Sequence, residues 1–417
     1  MNVLITGAKG FVGKNLTEAL KNIKDGKDRT HPGLQIGEIY LYDVDSAAED
    51  LAKYCEKADF LFNLAGVNRP KDNSEFMSGN FGFASDLLNA LKKCGNKCPV
   101  MLSSSVQASL SGRFADSEYG KSKLAGEELF FEYARETGVA VYVYRFPNLF
   151  GKWCRPNYNS AIATFCHNIA NGLPIQVSNP AVEMDVLYID DLVDEMLCAL
   201  AGQPHRCEFD GTKPVESASG KYCYAPVHYE TTLGYLAETI SSFPKLREKL
   251  GVPDSSNGLE SKLYSAWLSY LPASSFIYDL RMNEDERGSF TEIIRTKTAG
   301  QFSVNIIKPG VVKGNHWHHS KHEKFVVVSG EGLIQLRKIG TDEEGREYPI
   351  VEYRVSGKHI QVVDMIPGYA HCITNLSNSE DLVTFMWANE CFDANRPETY
   401  SENVNSKGTG CYGKSQF

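Results

Sequence analysis

The chain has 417 residues, 42% hydrophobic and 23% charged, and its 43 basic against 52 acidic side chains give a formal net charge of −9. This is the composition of a globular protein with room for two or three domains and a sizeable core, and the acidic balance excludes a general electrostatic grip on nucleic acid or on an anionic membrane. No apolar run nears the roughly 18 residues of a membrane span and no basic leader precedes the first strand, so the expectation is a cytoplasmic protein with a small-molecule partner.

From the start to about residue 200, short β-rich runs alternate with helical stretches: "NVLIT", "IYLYDV", "DFLFNLAG", "PVMLSSS" and "VAVYVYRF". That alternation predicts a parallel, doubly wound α/β sheet with helices on both faces. Residues 200–272 are more helical and irregular, and are read as the remainder of a first domain spanning 1–272. After "LPASS" the texture turns to strands and turns, as in "GQFSVNIIKPG" and "HIQVVDMIPG", which predicts an all-β domain over 273–400, a sandwich or barrel. The polar, glycine-bearing end 401–417 reads as a loose tail. The eleven cysteines are scattered without a zinc-ribbon pattern, Cys94 and Cys98 lack a second pair, and all are expected to be reduced thiols.

In "VLITGAKGFVGKNL", Gly7, Gly10 and Gly13 fall at the first strand-to-helix turn, where the backbone can approach a pyrophosphate and Phe11 and Val12 open a helix toward its charge. This GxxGxxG spacing resembles the extended short-chain dehydrogenase/reductase superfamily. Tyr119 and Lys123 in "YGKSK" follow a strand ending "SSS"; four apart on a helix, they share one face. The resemblance implies Tyr119 as general acid or base, Lys123 as the residue that tunes it and holds the nicotinamide ribose, and Ser105 as the group that binds the substrate oxygen. Val106 and Gln107 stand where related dehydratases carry an acid and a base, so dehydration is not expected and hydride transfer is. Further matches are "NLAGVNRP", "RFPNLFG" and "VLYIDDLV". They imply Leu64, Ala65 and Gly66 beside the cofactor, Asn68, Arg69 and Asn148 on the substrate, and a structural role for Arg145. Cofactor choice is divided. Asp43, ending the second strand, suits a ribose 2′-hydroxyl and NADH, whereas Lys9 in the glycine turn could pair with a 2′-phosphate; the family resemblance below tips the expectation to NADPH.

Four of the ten histidines crowd into "GNHWHHSKHEKF". The run Gly310, His316, His318, Glu323, Gly330, with Pro367, Gly368, His371 and Asn375 further on, resembles the cupin signature, although Pro367 and Gly368 are adjacent where that pattern separates them. Residues 316 and 318 on a strand face the same way, and an imidazole and carboxylate set with open positions suits zinc or another divalent transition metal. His319 and His322 are read as a solvated turn. "DERGSFTE" and "VVKGNH" resemble the cupin-fold epimerases of deoxysugar nucleotides. That likeness implies Arg287 and Glu292 as substrate contacts and His316 as the base, with Lys313 in place of an arginine. His318, Glu323 and His371 are then left for the metal, with His316 as fourth ligand in the alternative.

Over about residues 1–400 the chain, through "TGAKGFVGKNL", "LAGVNRP", "YRFPNLFGKWCRPNYNS", "KGNHWHH" and "WANECFD", resembles a family of bacterial capsular-polysaccharide enzymes. The likeness implies a Rossmann-type extended short-chain dehydrogenase/reductase domain followed by a cupin jelly roll, and a homodimer. It implies epimerisation at carbon 3 and then reduction at carbon 4 of UDP-2-acetamido-2,6-dideoxy-β-L-arabino-4-hexulose, giving the L-talose derivative on the route to UDP-N-acetyl-L-fucosamine. The competing expectations are a reductase with a purely structural cupin domain, and a non-catalytic sugar-nucleotide sensor.

Overall fold

The computed structural model describes residues 1–405 apart from Lys71, Lys297, Ala394 and Arg396. Most of the tail read as loose, 406–417, lies outside the described residues. The chain divides into two compact units, one joining Met1–Ser241 to Lys262–Pro272, the other joining Ser242–Ser261 to the chain from Ala273 on. Residues 242–261, read in the sequence as part of the first domain, therefore pack with the second: the amide of Arg295 donates to the carbonyl of Leu250 at 2.8 Å. No helix among the described residues is long and apolar enough to cross a membrane.

In the first unit the strands are β1 (Val3–Thr6), β2 (Ile39–Tyr42), β3 (Phe60–Asn63), β4 (Val100–Ser105), β5 (Val141–Phe146), β6 (Asn148–Phe150), β7 (Glu183–Tyr188), β8 (Arg206–Asp210), β9 (Lys213–Glu216), β10 (Tyr222–Cys223) and β11 (Tyr229–Thr232). The main sheet runs β2-β1-β3-β4-β5-β10-β8-β9, and β6, β7 and β11 form a smaller sheet. The first six strands of the main sheet pair in parallel. Both faces are covered, and alternate residues feed separate cores: Val3, Ile5, Phe60, Phe62 and Tyr144 on one side, Leu4, Leu61, Val100 and Val143 on the other. Near-continuous apolar strands are what a doubly covered parallel sheet demands. The order reverses at β1, so the glycine turn that follows it lies at the topological switch point where such sheets bind ligands.

The second unit is built from β12 (Met282–Asp285), β13 (Gly288–Thr296), β14 (Gly300–Ile307), β15 (Val312–Trp317), β16 (Glu323–Ser329), β17 (Glu331–Lys338), β18 (Ile350–Ser356), β19 (Val362–Met365), β20 (Tyr369–Asn375), β21 (Leu382–Ala388) and β22 (Tyr400–Ser401). They form two antiparallel sheets, β12-β13-β14-β21-β16-β19 and β18-β17-β20-β15-β22. Ile307, Phe325, Val327 and Leu382 of the first sheet meet Ile334, Leu336, Val355 and Ile373 of the second in one core. Tyr400 and Ser401 belong to a strand and Val404 is buried, so the tail expected to be loose from 401 is held at its beginning. Paired backbone and a buried side chain override its polar composition.

Candidate functional site

The glycine turn is built as its spacing requires. Gly7 has φ +67°, and a Cβ there would meet the Ala65 amide nitrogen at 2.7 Å; at Gly13 it would meet the Gly7 carbonyl oxygen at 2.3 Å. Helix Phe11–Lys24 starts at Gly10 with no side-chain cap and no acidic residue in its first turn. Its N–H groups are left for an anion, which the turn can cradle without side chains intervening. The loop from Leu64 to Gly66 is tied to β1 through Leu64 N–H and Thr6 O at 3.2 Å.

Asp43 accepts the Lys9 amide at 2.7 Å, and the Lys9 ammonium pairs with Asp45. The Lys9 ammonium, which the sequence offered to a 2′-phosphate, thus lies in an exposed pair with Asp45.

Ser105, Tyr119 and Lys123 come together. Helix Glu118–Thr137 is capped by Ser117, whose hydroxyl accepts from Gly120 N–H at 2.9 Å and donates to Gln107 Oε1 at 2.9 Å. Gln107, which the sequence places where related dehydratases carry a base, thus fastens the start of the helix that bears Tyr119 and Lys123. Ser105 lies within hydrogen-bond reach of Tyr119, and burial pushes the phenol up to about 12 against that bond. Lys123 donates to Ser103 O at 3.0 Å, and burial pushes its ammonium down to about 8.

Sequence reasoning missed Asn80. It lies in the π-helical turn Met77–Gly82 and bonds Val67 N–H and O at 3.0 and 3.1 Å and the Ser122 hydroxyl at 3.0 Å. It thereby ties the loop after β3, at Val67, to the helix that bears Tyr119 and Lys123, at Ser122. A lone asparagine in a helical stretch carries no spacing signal; π-turns are common at functional sites, but they show only in coordinates.

Under this helix, Glu127 receives Arg145 bidentately at 2.9 and 2.7 Å, with both residues buried. Arg145 also stacks on Tyr222 at 4.2 Å. Asn148 is exposed on β6 and donates to Asp185 O at 3.0 Å. Asn68 and Arg69 are exposed beyond the Leu64–Gly66 loop.

In the second unit, ligand atoms of His316, His318, Glu323 and His371 all lie within 4.8 Å of one another. The β15 register shifts between Gly314 and His316, with Gly314 at φ +101° and Asn315 at φ +59°. This bulge lets residues three apart both turn inward. Lys313 reaches the facing sheet, donating to Asn305 Oδ1 at 2.9 Å and Ile306 O at 3.1 Å, while His316 joins the cluster. Burial pushes Lys313 down to about 8.

His318 Nε2, Glu323 Oε2 and both ring nitrogens of His371 are buried without a hydrogen-bond partner. His318 Nε2 and His371 Nε2 stand 3.6 and 3.5 Å from Glu323 Oε2. Orphaned buried donors and acceptors on converging side chains are costly unless a shared ion satisfies them, so this donor set fits a divalent metal. Burial alone would raise the Glu323 carboxyl, but His318, His371 and Lys321 hold it well below the usual range. His316 is only partly buried and is not among the orphaned groups. Burial and the neighbouring His371 push its imidazole down to about 3, so it is neutral. His319 and His322 are exposed and outside the cluster. Arg287 donates to Asp285 at 2.6 and 3.0 Å, and Glu292 accepts from Arg295 at 2.7 and 3.0 Å.

One chain thus joins a glycine cradle and a Ser-Tyr-Lys group to an all-β unit with a His-Glu cluster. Residues 3–207 match the NAD dependent epimerase/dehydratase family, and residues 283–400 the polysaccharide biosynthesis C-terminal domain. The chain is 39% identical to the UDP-2-acetamido-2,6-beta-L-arabino-hexul-4-ose reductase of Pseudomonas aeruginosa over 404 residues, 97% of this chain and 99% of that protein. The crystal structure of the capsular polysaccharide assembling protein CapF from Staphylococcus aureus is similar with TM-score 0.82 and 44% identity, covering 97% of this chain and 100% of that one. CapF with the inhibitor 3-isopropenyl-tropolone is similar with TM-score 0.77 and 42% identity over the same shares. The chain belongs to the family of this reductase and CapF.

Proposed function

We propose that this enzyme converts UDP-2-acetamido-2,6-dideoxy-β-L-arabino-4-hexulose to the L-talose derivative, inverting carbon 3 at the histidine cluster and reducing carbon 4 at the Ser-Tyr-Lys group. The observation that carries the reading is the pairing, in one chain, of Tyr119 beside Ser105 and Lys123 with a set of four metal-type donors, of which His318, Glu323 and His371 are buried. The substrate is the one named for the Pseudomonas relative, and the product lies on the route to UDP-N-acetyl-L-fucosamine.

A 4-ketone acidifies the proton at carbon 3. His316, kept neutral, accepts that proton, and return of a proton to the opposite face inverts the carbon. His318, Glu323 and His371 hold the metal, zinc or a similar ion, which supplies Lewis acidity beside the ketone. A tropolone chelates such ions through its paired oxygens, which fits the inhibitor seen on CapF. Tyr119, protonated at neutral pH, donates to the oxygen at carbon 4; Ser105 holds that oxygen and Lys123 the nicotinamide ribose. The bound nicotinamide supplies the hydride. Reduction removes the ketone that made carbon 3 acidic, so it traps the epimer.

Asn68, Arg69 and Asn148 are assigned to the substrate in the first unit, Arg287 and Glu292 in the second, where internal ion pairs hold both. NADH is favoured over the NADPH that family likeness implied, because two carboxylates surround Lys9. The reading includes a homodimer: the outer face of the six-stranded sheet exposes Phe302, Val362 and Phe385 around a hollow of about 340 Å³, a surface suited to a second copy. Incubation with the 4-keto UDP-sugar, with and without NADH, tests the reading: exchange at carbon 3 in both cases and reduction only with NADH support it, and neither reaction occurring refutes it.

A further inference from the structure

The segment 398–404 lies along the strand that carries the histidine cluster. Trp317 and His316 pair with Tyr400 and Ser401. Glu402 N–H donates to Asn315 O at 2.9 Å, and Val404 N–H to Asn315 Oδ1 at 3.1 Å. A buried guanidinium fastens the segment from below: Arg337 donates to the carbonyls of Val404 and Asn403 at 2.8 and 2.9 Å and to the Glu402 carboxylate at 2.7 Å.

At the start of the segment, Glu398 makes two kinds of contact with the ligand strand. Its carbonyl accepts from His318 Nδ1 at 2.7 Å. Its carboxylate accepts the N–H groups of Ser320 and Lys321 at 2.8 and 3.1 Å and the Ser320 hydroxyl at 3.1 Å. Glu398 also has φ +45°, a left-handed conformation that costs a non-glycine residue about 1 kcal/mol or more and persists only where contacts over-determine it. A neutral imidazole that donates through Nδ1 carries no proton on Nε2. Nε2 is the His318 atom that faces Glu323, 3.6 Å from its oxygen.

We propose that Glu398–Val404 is a positioning strap for the metal: the Glu398 carbonyl fixes His318 in the tautomer that ligates through Nε2, and the Glu398 carboxylate fixes the turn that follows. The inference rests on the metal reading above. Partners of this kind hold metal affinity by about 10- to 100-fold. A strap that only closed the fold would change melting temperature and leave affinity alone.

The test is zinc affinity of the full-length chain, by competition with a chromophoric chelator, for wild type, Glu398→Gln and Glu398→Ala, at a temperature where each is folded by circular dichroism. Glu398→Ala is expected to bind zinc about 10-fold more weakly or worse, and Glu398→Gln to fall between it and wild type. The alanine keeps the backbone carbonyl, so equal affinity in wild type and Glu398→Ala overturns the anchoring by the carboxylate and leaves the metal reading standing; no zinc binding by wild type removes both. Nitrogen-15 NMR of the wild-type histidines tests the carbonyl's part and needs no variant. His318 protonated on Nδ1 and ligated through Nε2 on zinc addition supports the strap, and an Nε2–H tautomer overturns it.

Discussion

Asp43 accepts the backbone N–H of Lys9 at 2.7 Å, so a carboxylate joins the end of the second strand to the glycine turn. Both its oxygens keep a lone pair for a ribose hydroxyl, and Asp45 neutralises the Lys9 ammonium. A 2′-phosphate brought there meets two carboxylates and one cation that is already paired. NADH should therefore bind the substrate-free enzyme at least about tenfold more tightly than NADPH, about 1.4 kcal/mol, and replacing Asp43 and Asp45 by serine should shrink the gap. Fluorescence titration checks it, and tighter NADPH binding by the wild type would reverse the assignment.

Tyr119→Phe should lower reduction by about 10²- to 10⁴-fold while proton exchange at carbon 3 continues. The pH profile of reduction follows from burial of the two partners. Lys123 carries its charge below about 8 and loses it above, whereas Tyr119, at about 12, stays protonated throughout. The rate constant for reduction should accordingly fall as pH rises through about 8. A profile that stays flat well above that pH, by stopped-flow absorbance of the reduced nicotinamide, would detach Lys123 from the step.

The buried Glu127–Arg145 pair anchors the helix that bears Tyr119 and Lys123. Arg145→Met leaves an uncompensated carboxylate and should destabilise the first unit by about 3–5 kcal/mol, whereas the double change Glu127→Gln with Arg145→Met should cost clearly less. Thermal unfolding of wild type, the two single variants and the double variant measures this, and an additive double mutant would show the two groups to be independent.

Phe385→Lys, on the exposed face of the six-stranded sheet, should shift the protein from dimer to monomer in sedimentation equilibrium with its fold retained. A wild type that sediments as a monomer contradicts the dimer outright.

The sequence announced the two chemistries through positions whose spacing is dictated by local geometry. Gly7 and Gly13 must lack a Cβ, Tyr119 and Lys123 must share a helix face, and apolar residues must alternate between two cores in β1 and β3. What stayed hidden depends on tertiary placement. Asn80 works through a π-turn, and the β15 bulge turns both Lys313 and His316 inward although their spacing alone predicts opposite faces. Residues 242–261 look like any helical stretch, yet pack with the second unit. Glu398, just before the stretch read as a tail, carries no motif and reveals its contact with His318 only when the chain folds back. The histidine spacing was legible, but the buried, unpartnered atoms of His318, Glu323 and His371 were not.

The central claim, that the histidine cluster is an epimerase centre and not a structural ornament on a reductase, is met most directly by hydrogen exchange. The zinc-loaded enzyme is incubated with the 4-keto UDP-sugar in deuterated water without nicotinamide, and the proton at carbon 3 is followed by NMR for wild type and His316→Ala. The account predicts loss of that signal with wild type and its persistence with the zinc-retaining variant. Persistence with both, while added NADH is still oxidised, would contradict it.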